Sequence, residues 1–241
     1  MIGIIVQLAF SWLIVWMYEK NNLRVLGLMP TQNRVGSLFF FMIVTAVCAA
    51  SGFLLKMYFG NIQYHLNPKL DAILVVKGIW WNINSVLFEE LIFRGVIFYI
   101  LIQKLGITKA IIISAAAFGI YHWFSYGIIG NIPQMIMVFF ITGIMGMVYA
   151  FGYARTMSLY IPIAIHFGWN FTQGFVFSEG SIGKGILVQT TEAPFRTDSY
   201  LEAILVFLLP MLSAIVINFL LVWRKRQVDI HIYKPTFTKK Y

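Results

Sequence analysis

Long apolar stretches recur along this chain, and their length constrains its fold more than any other feature. Between Gly36 and Tyr58, for example, Lys56 is the only charged side chain. A helix of about 20 apolar residues crosses the hydrocarbon core of a bilayer. Closed β-barrels also cross it, but they show short segments of alternating hydrophobicity, which this sequence lacks. The sequence therefore predicts an all-α fold, a polytopic transmembrane helical bundle.

The composition argues against a separate soluble domain, since 60% of the residues are hydrophobic and 11% are charged, against about 25% charged in soluble domains. We expect a single transmembrane bundle over residues 1–223 and a basic cytoplasmic tail over residues 224–241. The N-terminal apolar stretch has no Lys or Arg ahead of it, so we interpret it as the first span and not as a signal peptide. About seven spans are predicted, over Ile2–Tyr18, Gly36–Tyr58, Ala72–Gln103, Lys109–Ile128, Ile132–Ala154, Leu159–Phe177 and Tyr200–Trp223.

The positive charges indicate orientation and not a nucleic acid partner. The formal net charge is +9, and many of the positive residues fall in short connections and in the tail, where orientation signals belong. Alternate connections differ strongly in their Lys and Arg content. This difference predicts a multi-pass protein of the cell membrane, with its N-terminus outside and its C-terminus in the cytoplasm.

The third apolar run, Ala72–Gln103, is longer than one span requires. As a continuous helix it would extend about 48 Å, against a hydrocarbon core of about 30 Å. Lys77, Trp80 and Trp81 suit the membrane interface, so we place the true span from about Trp81 onward.

Small and polar residues within the spans are expected to serve helix packing. Asn82 and Asn84 are of the type that hydrogen-bonds between neighbouring helices. Gly143, Gly146 and Ala150 allow two helices to approach closely.

Three charged side chains, Glu89, Glu90 and Arg94, interrupt the third run. A charge at the bilayer centre costs roughly 2.5–3.5 kcal/mol, so charged groups at this depth are rare and suggest a functional site. On a helix, Glu90 and Arg94 lie four residues apart and can pair, whereas Glu89 points about 100° away. The alternative is a purely structural polar cluster buried between helices.

Later spans add His122 and the pair His166 and Asn170, which lie four residues apart. Glu89, His122 and His166 lie about 16–22 Å from the cytoplasmic ends of their spans, so we expect the polar groups to meet in one cavity. A lone intramembrane histidine usually only bonds to a neighbouring helix. Together, Glu and His can hold a catalytic Zn²⁺, or can activate water without a metal while His and Asn stabilise an oxyanion. Both schemes remain open at this point.

These motifs resemble the CPBP family, the CAAX-processing and bacteriocin-processing intramembrane proteases, also called Abi proteins. The resemblance covers about residues 86–171 and rests on three ordered motifs, which are Glu89-Glu90-Leu91-Ile92-Phe93-Arg94, Phe118 to His122, and His166 to Asn170. It implies an intramembrane endopeptidase that hydrolyses a peptide bond of a membrane-associated or exported peptide with a glutamate-activated water.

The resemblance also implies roles for the charged residues. Glu89 would be the general base. Glu90 would be held by Arg94 and would orient the site. His122 would help to bind the water or a metal, and Phe118 would only form part of the pocket wall.

For the remaining residues, the resemblance implies an oxyanion hole formed by His166 and Asn170. If a metal is bound, its ligands would be Glu89, His122 and His166, and the ion would be Zn²⁺ or another divalent metal. A metal-independent glutamate mechanism is the alternative, because the same residues suit either scheme.

Two other functions fit the same residues. One is a non-catalytic immunity or regulatory protein of the same fold, which binds another membrane protein. The other is a proton-coupled transporter, in which Glu and His form a relay, although no internal repeat supports it. For a protease, the expected partners are a peptide or membrane-protein substrate and the lipid bilayer. The loop Ser178–Ser199 is a hypothetical gate for the substrate, with hinges at Gly180, Gly183 and Gly185.

Overall fold

The computed structural model describes residues 1–178, 185–190 and 194–228. Most of these residues are helical, which confirms the all-α prediction. The α-helices run over Ile2–Glu19 (α1), Gln32–Gly60 (α2), Ala72–Arg94 (α3), Val96–Leu105 (α4), Ile107–Ser125 (α5), Ile132–Thr156 (α6), Tyr160–Phe171 (α7), Tyr200–Phe207 (α8) and Leu209–Trp223 (α9). A 3₁₀ turn covers Leu23–Leu26, a π-turn covers Thr172–Val176, and two short strands cover Tyr64–Leu66 (β1) and Leu187–Gln189 (β2).

Within the described residues, four helices are long and apolar enough to cross a membrane: α1, α2, α5 and α6. A fifth span is counted if α8 and α9, which meet at a bend of 44°, cross together. The bend lies beside Pro210, whose ring has no N–H to continue the helical ladder. On α2, Ile43, Val47 and Leu54 are all more than half exposed, as expected of side chains that face lipid. The chain is therefore a membrane protein, but the predicted count of about seven spans is not confirmed.

The third predicted span is not one continuous helix. The run Ala72–Gln103 is broken between α3 and α4 at Gly95, which has φ −81° and ψ −140°. A Cβ atom at Gly95 would overlap the carbonyl oxygen of Leu91, so only glycine allows this approach. The break ends α3 directly after Arg94. The three charged residues of the first motif therefore occupy the last turns of a helix.

The chain forms two compact units, which are described separately. The first comprises Met1–Val35, Leu87–Pro162 and the described residues from Leu221 onward. In this unit α5 packs along α6, and a Cβ atom at Gly119 would lie 2.8 Å from the Phe139 ring.

The ends of the first unit are tied by polar contacts. The hydroxyl of Tyr99 and the amide of Gln103, both on α4, donate to the Glu19 carboxylate at the end of α1. At the end of α6, Arg155 donates to the carbonyl oxygens of Trp223 and Lys225. The predicted basic tail therefore begins in contact with α6, while its residues 229–241 lie outside the described residues.

The second unit comprises the described residues of Gly36–Val86 and Ile163–Leu220. Here α7 lies against α2, because a Cβ atom at Gly168 would be 2.5 Å from the carbonyl oxygen of Met42. The amide of Asn218 donates to Thr45 Oγ1 over 3.0 Å. The rings of Phe53 and Phe177 stack at 4.0 Å.

The two strands of the second unit were not predicted. They pair antiparallel, with His65 opposite Val188. Strand β2 lies in the proposed gating loop Ser178–Ser199, of which Gly180 and Gly183 lie outside the described residues while Gly185 is described. A three-residue strand with a distant partner leaves no readable alternation in the sequence.

The two asparagines of α3 bond to the backbone of their own helix. The side-chain amide of Asn82 donates to the carbonyl oxygen of Gly78, and that of Asn84 donates to Trp80. Both bonds stay within α3 and span four residues. These bonds of the amides are therefore local to α3, and bonding between neighbouring helices stays a prediction.

Candidate active site

The charged motif of α3 forms a buried ion pair in the first unit. Arg94 Nη1 donates to Glu90 Oε1 over 3.1 Å, and both side chains are 0% exposed. The spacing of four residues predicts this contact, and the structure confirms it. Two buried charges must compensate each other and find further polar partners.

Arg94 finds its second partner in the backbone of α6. Its Nη2 donates to the carbonyl oxygen of Gly146 over 2.9 Å. The guanidinium carbon also lies 4.3 Å from the centre of the Phe118 ring and 5.2 Å from that of Tyr149. Rings at these distances attract a cation. The Phe93 ring lies 5.7 Å away, so Arg94 is held by a carboxylate, a carbonyl oxygen and three aromatic rings.

Gly146 has a more specific role than the helix packing expected from the sequence. A Cβ atom there would lie 2.9 Å from Arg94 Nη2 and 2.9 Å from Phe118 Cδ1. The missing side chain thus makes room for the guanidinium. At Gly143, by contrast, a Cβ atom would meet only the Ala115 carbonyl oxygen at 3.6 Å, an ordinary contact.

Glu89 lies beside His122, the histidine of α5. Glu89 Oε2 is 4.0 Å from His122 Nε2, and both residues are largely buried. The other ring nitrogen, Nδ1, lies 2.7 Å from the carbonyl oxygen of Phe118. A carbonyl oxygen only accepts, so Nδ1 carries a hydrogen, and in the neutral ring Nε2 presents its lone pair towards the carboxylate. The structure thus places a carboxylate next to an imidazole of defined tautomer.

Two tyrosines of the first unit complete these surroundings, and the sequence reasoning missed both. Tyr149 contacts Arg94 from α6, as described above. The ring of Tyr126, just after α5, lies 5.1 Å from the ring of His122. An ordinary tyrosine phenol is neutral at physiological pH, so Tyr126 is a proton donor there.

The other two predicted residues, His166 and Asn170, belong to the second unit. Both lie on α7, where His166 is 4% exposed and Asn170 is partly exposed. The spacing of four residues on a helix gives them a common face, as predicted. The π-turn Thr172–Val176 follows directly, and such turns are frequent at functional sites. That all six residues meet in one cavity stays a prediction.

The donor set was compared with what a metal ion requires. A catalytic zinc site uses three protein ligands, whereas the described residues contain no group of three or more His, Cys, Asp or Glu side chains placed to hold an ion. Glu89 and His122 contribute two. A bound divalent metal therefore stays a prediction for this chain.

The chain was also compared with known proteins. The family model described as type II CAAX prenyl endopeptidase, Rce1-like, matches residues 71–172, which is less than half of the chain. The matched range includes all six predicted site residues. No curated protein and no solved structure matches the chain.

Proposed function

Because residues 71–172 are Rce1-like, and so resemble the CAAX-processing proteases as the sequence motifs indicate, we propose that this chain is an intramembrane endopeptidase that cleaves a membrane-associated or exported peptide. The observation that carries the proposal is the Glu89–His122 pair, with its separation of 4.0 Å. A carboxylate and a neutral imidazole beside each other can share one water molecule between them. Such a water is the nucleophile that peptide hydrolysis requires.

The proposed reaction begins with Glu89 as general base. Glu89 takes a proton from the water while His122 Nε2 orients it. The water oxygen forms a bond to the scissile carbonyl carbon, which gives a tetrahedral intermediate with a negative oxygen. The C–N bond then breaks, and the proton passes from Glu89 to the leaving nitrogen.

The remaining residues hold the reacting groups. His166 and Asn170 donate to the oxyanion, which is worth about 10²–10³-fold in rate for one donor in other hydrolases. Glu90 is a positioning residue: its ion pair with Arg94 anchors the turn of α3 that carries Glu89. In this scheme the phenol of Tyr126 is available as a further donor beside His122.

The wider setting of the reaction is part of the same proposal. We place the protein in the cell membrane, with its N-terminus outside and its C-terminus in the cytoplasm. This placement is supported by the distribution of Lys and Arg among the connections. The substrate class is a short hydrophobic peptide, with or without a prenyl group on a cysteine near its C-terminus.

The test uses purified protein in detergent and a library of quenched-fluorescent hydrophobic peptides, each made with and without a prenylated cysteine. Wild type is compared with Glu89→Gln and with the control Glu19→Gln, which alters a carboxylate bound to Tyr99 and Gln103. We expect wild type and Glu19→Gln to cleave, and Glu89→Gln to lose about 10²–10⁴-fold in rate while staying folded. A chelator added to each reaction determines whether a metal takes part.

Two results would count against the proposal. Wild-type rates for Glu89→Gln would remove this residue as the base. Failure of well-folded wild type to cleave any peptide would favour the non-catalytic alternative, a protein that binds another membrane protein. Cross-linking of the intact protein in membranes would then identify that partner.

A further inference from the structure

A cleft of about 660 Å³ opens in the second unit beside the two-stranded sheet. We call it the interfacial cleft. Its lining includes Lys69, Lys77, His65, Thr190, Ile73 and Val188. All of these residues belong to one unit, and none is among the six predicted site residues.

The wall of the cleft is built by specific bonds. The buried side chain of Asn67 donates from Nδ2 to the Gly185 carbonyl oxygen over 2.8 Å. Its Oδ1 accepts from the backbone N–H of Lys69 over 3.0 Å. On the sheet, His65 Nδ1 lies 3.3 Å from Thr190 Oγ1. The backbone that carries Lys69 is therefore fixed, while its ammonium group remains exposed.

The cleft carries an excess of positive charge. Its lining contains two lysines and one carboxylate, that of Asp71. Asp71 accepts a hydrogen bond from the Leu74 N–H over 2.6 Å and so caps the first turn of α3. Among the residues that the structure describes, no carboxylate forms an ion pair with Lys69 or Lys77. Two lysines thus line one opening, and the part of the chain that the structure describes offers them no ion-pair partner.

The position along the chain places the cleft at the membrane surface. It follows the end of α2, a candidate span that ends at Gly60. Lys77 is about one helical turn before Trp80 and Trp81, whose side chains are about half exposed. Tryptophans are enriched at the level of the lipid head groups. The apolar side chain of Ile73, which is also exposed, adds a surface suited to the glycerol end of an acyl chain.

We propose that the interfacial cleft binds the phosphate of an anionic phospholipid head group, such as that of phosphatidylglycerol. The two lysines supply charge and hydrogen-bond donors to the phosphate oxygens. The location at head-group level favours a lipid over a phosphate ion from solution. Basic pockets at this level of membrane proteins bind anionic head groups by the same physics.

The experiment measures lipid retention by the intact protein with native mass spectrometry, after incubation with equal amounts of phosphatidylglycerol and phosphatidylcholine. The test variant is Lys69→Gln/Lys77→Gln. The matched control is Lys104→Gln/Lys109→Gln, which removes the same charge from two exposed lysines of the first unit. Each lysine is worth about fivefold in affinity near an anionic surface, so we expect the ratio of bound anionic to bound zwitterionic lipid to fall by about 30-fold in the test variant. The control should keep the wild-type ratio.

Three results would overturn the proposal: no preference for phosphatidylglycerol in wild type, an equal fall in both double variants, or displacement of the lipid by millimolar inorganic phosphate. The last result would assign the cleft to free phosphate. The variant Lys69→Arg/Lys77→Arg guards against misfolding, because it keeps both charges. Retention of the lipid preference by this variant, together with its loss in the glutamine variant, supports the assignment.

Discussion

Substitution of Gly146 by alanine tests whether the position of Arg94 depends on empty space in α6. The added Cβ atom would lie 2.9 Å from Arg94 Nη2, so the guanidinium must move away from the carbonyl oxygen that it binds. Losing a hydrogen bond from a charged donor costs about 1.5–3 kcal/mol. Alanine inside a helix is more favourable than glycine by about 0.5–1 kcal/mol, which offsets part of this loss. The net change is a loss of about 0.5–2.5 kcal/mol in the free energy of unfolding.

Gly143→Ala is the matched control, since it makes the same chemical change one turn earlier in α6. Its Cβ atom meets only a carbonyl oxygen at 3.6 Å, an ordinary contact. Only the higher helix propensity of alanine then matters, and we expect the free energy of unfolding of this variant to rise by about 0.5–1 kcal/mol. The two alanine variants should therefore change stability in opposite directions.

Thermal unfolding in detergent, followed by tryptophan fluorescence, measures both changes. For a chain of this size, 1 kcal/mol corresponds to a shift of about 2–4 °C in Tm. Peptide cleavage provides the second measurement, because a displacement of about 1 Å near catalytic groups can cost about 10²-fold in rate. Equal shifts in Tm for Gly146→Ala and Gly143→Ala would refute the reasoning, since space at position 146 would then not limit Arg94.

Four further substitutions test other contacts. Arg94→Met leaves Glu90 buried without its partner and should cost about 3–5 kcal/mol in detergent unfolding, part of which Glu90→Gln in the same chain should restore. Tyr149→Leu removes one ring from Arg94 and should cost about 0.5–2 kcal/mol in the same assay. Asn170→Ala should lower kcat for peptide cleavage by about 10²–10³-fold and leave KM nearly unchanged, if Asn170 donates to the oxyanion. Asn67→Ala removes the bonds to Gly185 and Lys69 and should lower unfolding stability by about 1–3 kcal/mol.

Contacts between residues close together on one helix could be predicted from the sequence. The four-residue spacing of Glu90 and Arg94 is enough to predict their pairing, because a helix brings such side chains together whatever surrounds it. That the chain is a helical membrane protein could be predicted for a similar reason. Apolar runs of bilayer length leave few alternatives to membrane helices.

Contacts that depend on the three-dimensional fit between elements could not be predicted from the sequence. Gly146 had the pattern of a packing glycine, and only the structure shows that its free space is filled by Arg94 Nη2. Gly95 lies inside the run Ala72–Gln103, which was predicted as one helix, and nothing in hydropathy marks the backbone angles that divide α3 from α4. The number of spans could not be predicted for the same reason, since hydropathy indicates the length and polarity of a run but not where its helix breaks. Tyr126 and Tyr149 were missed because aromatic residues are abundant throughout this chain.

The bond between Arg94 and the Gly146 carbonyl oxygen also bears on how the protein can tolerate mutation. A side-chain acceptor can be lost through one codon change, but a main-chain carbonyl is present whatever residue occupies position 146. The arginine therefore has one acceptor that no substitution can delete. Position 146 is instead sensitive to side-chain volume, because every residue other than glycine adds a Cβ atom where the guanidinium lies. In a saturation library, position 146 should therefore tolerate no replacement as well as glycine, and the penalty should follow size more closely than polarity.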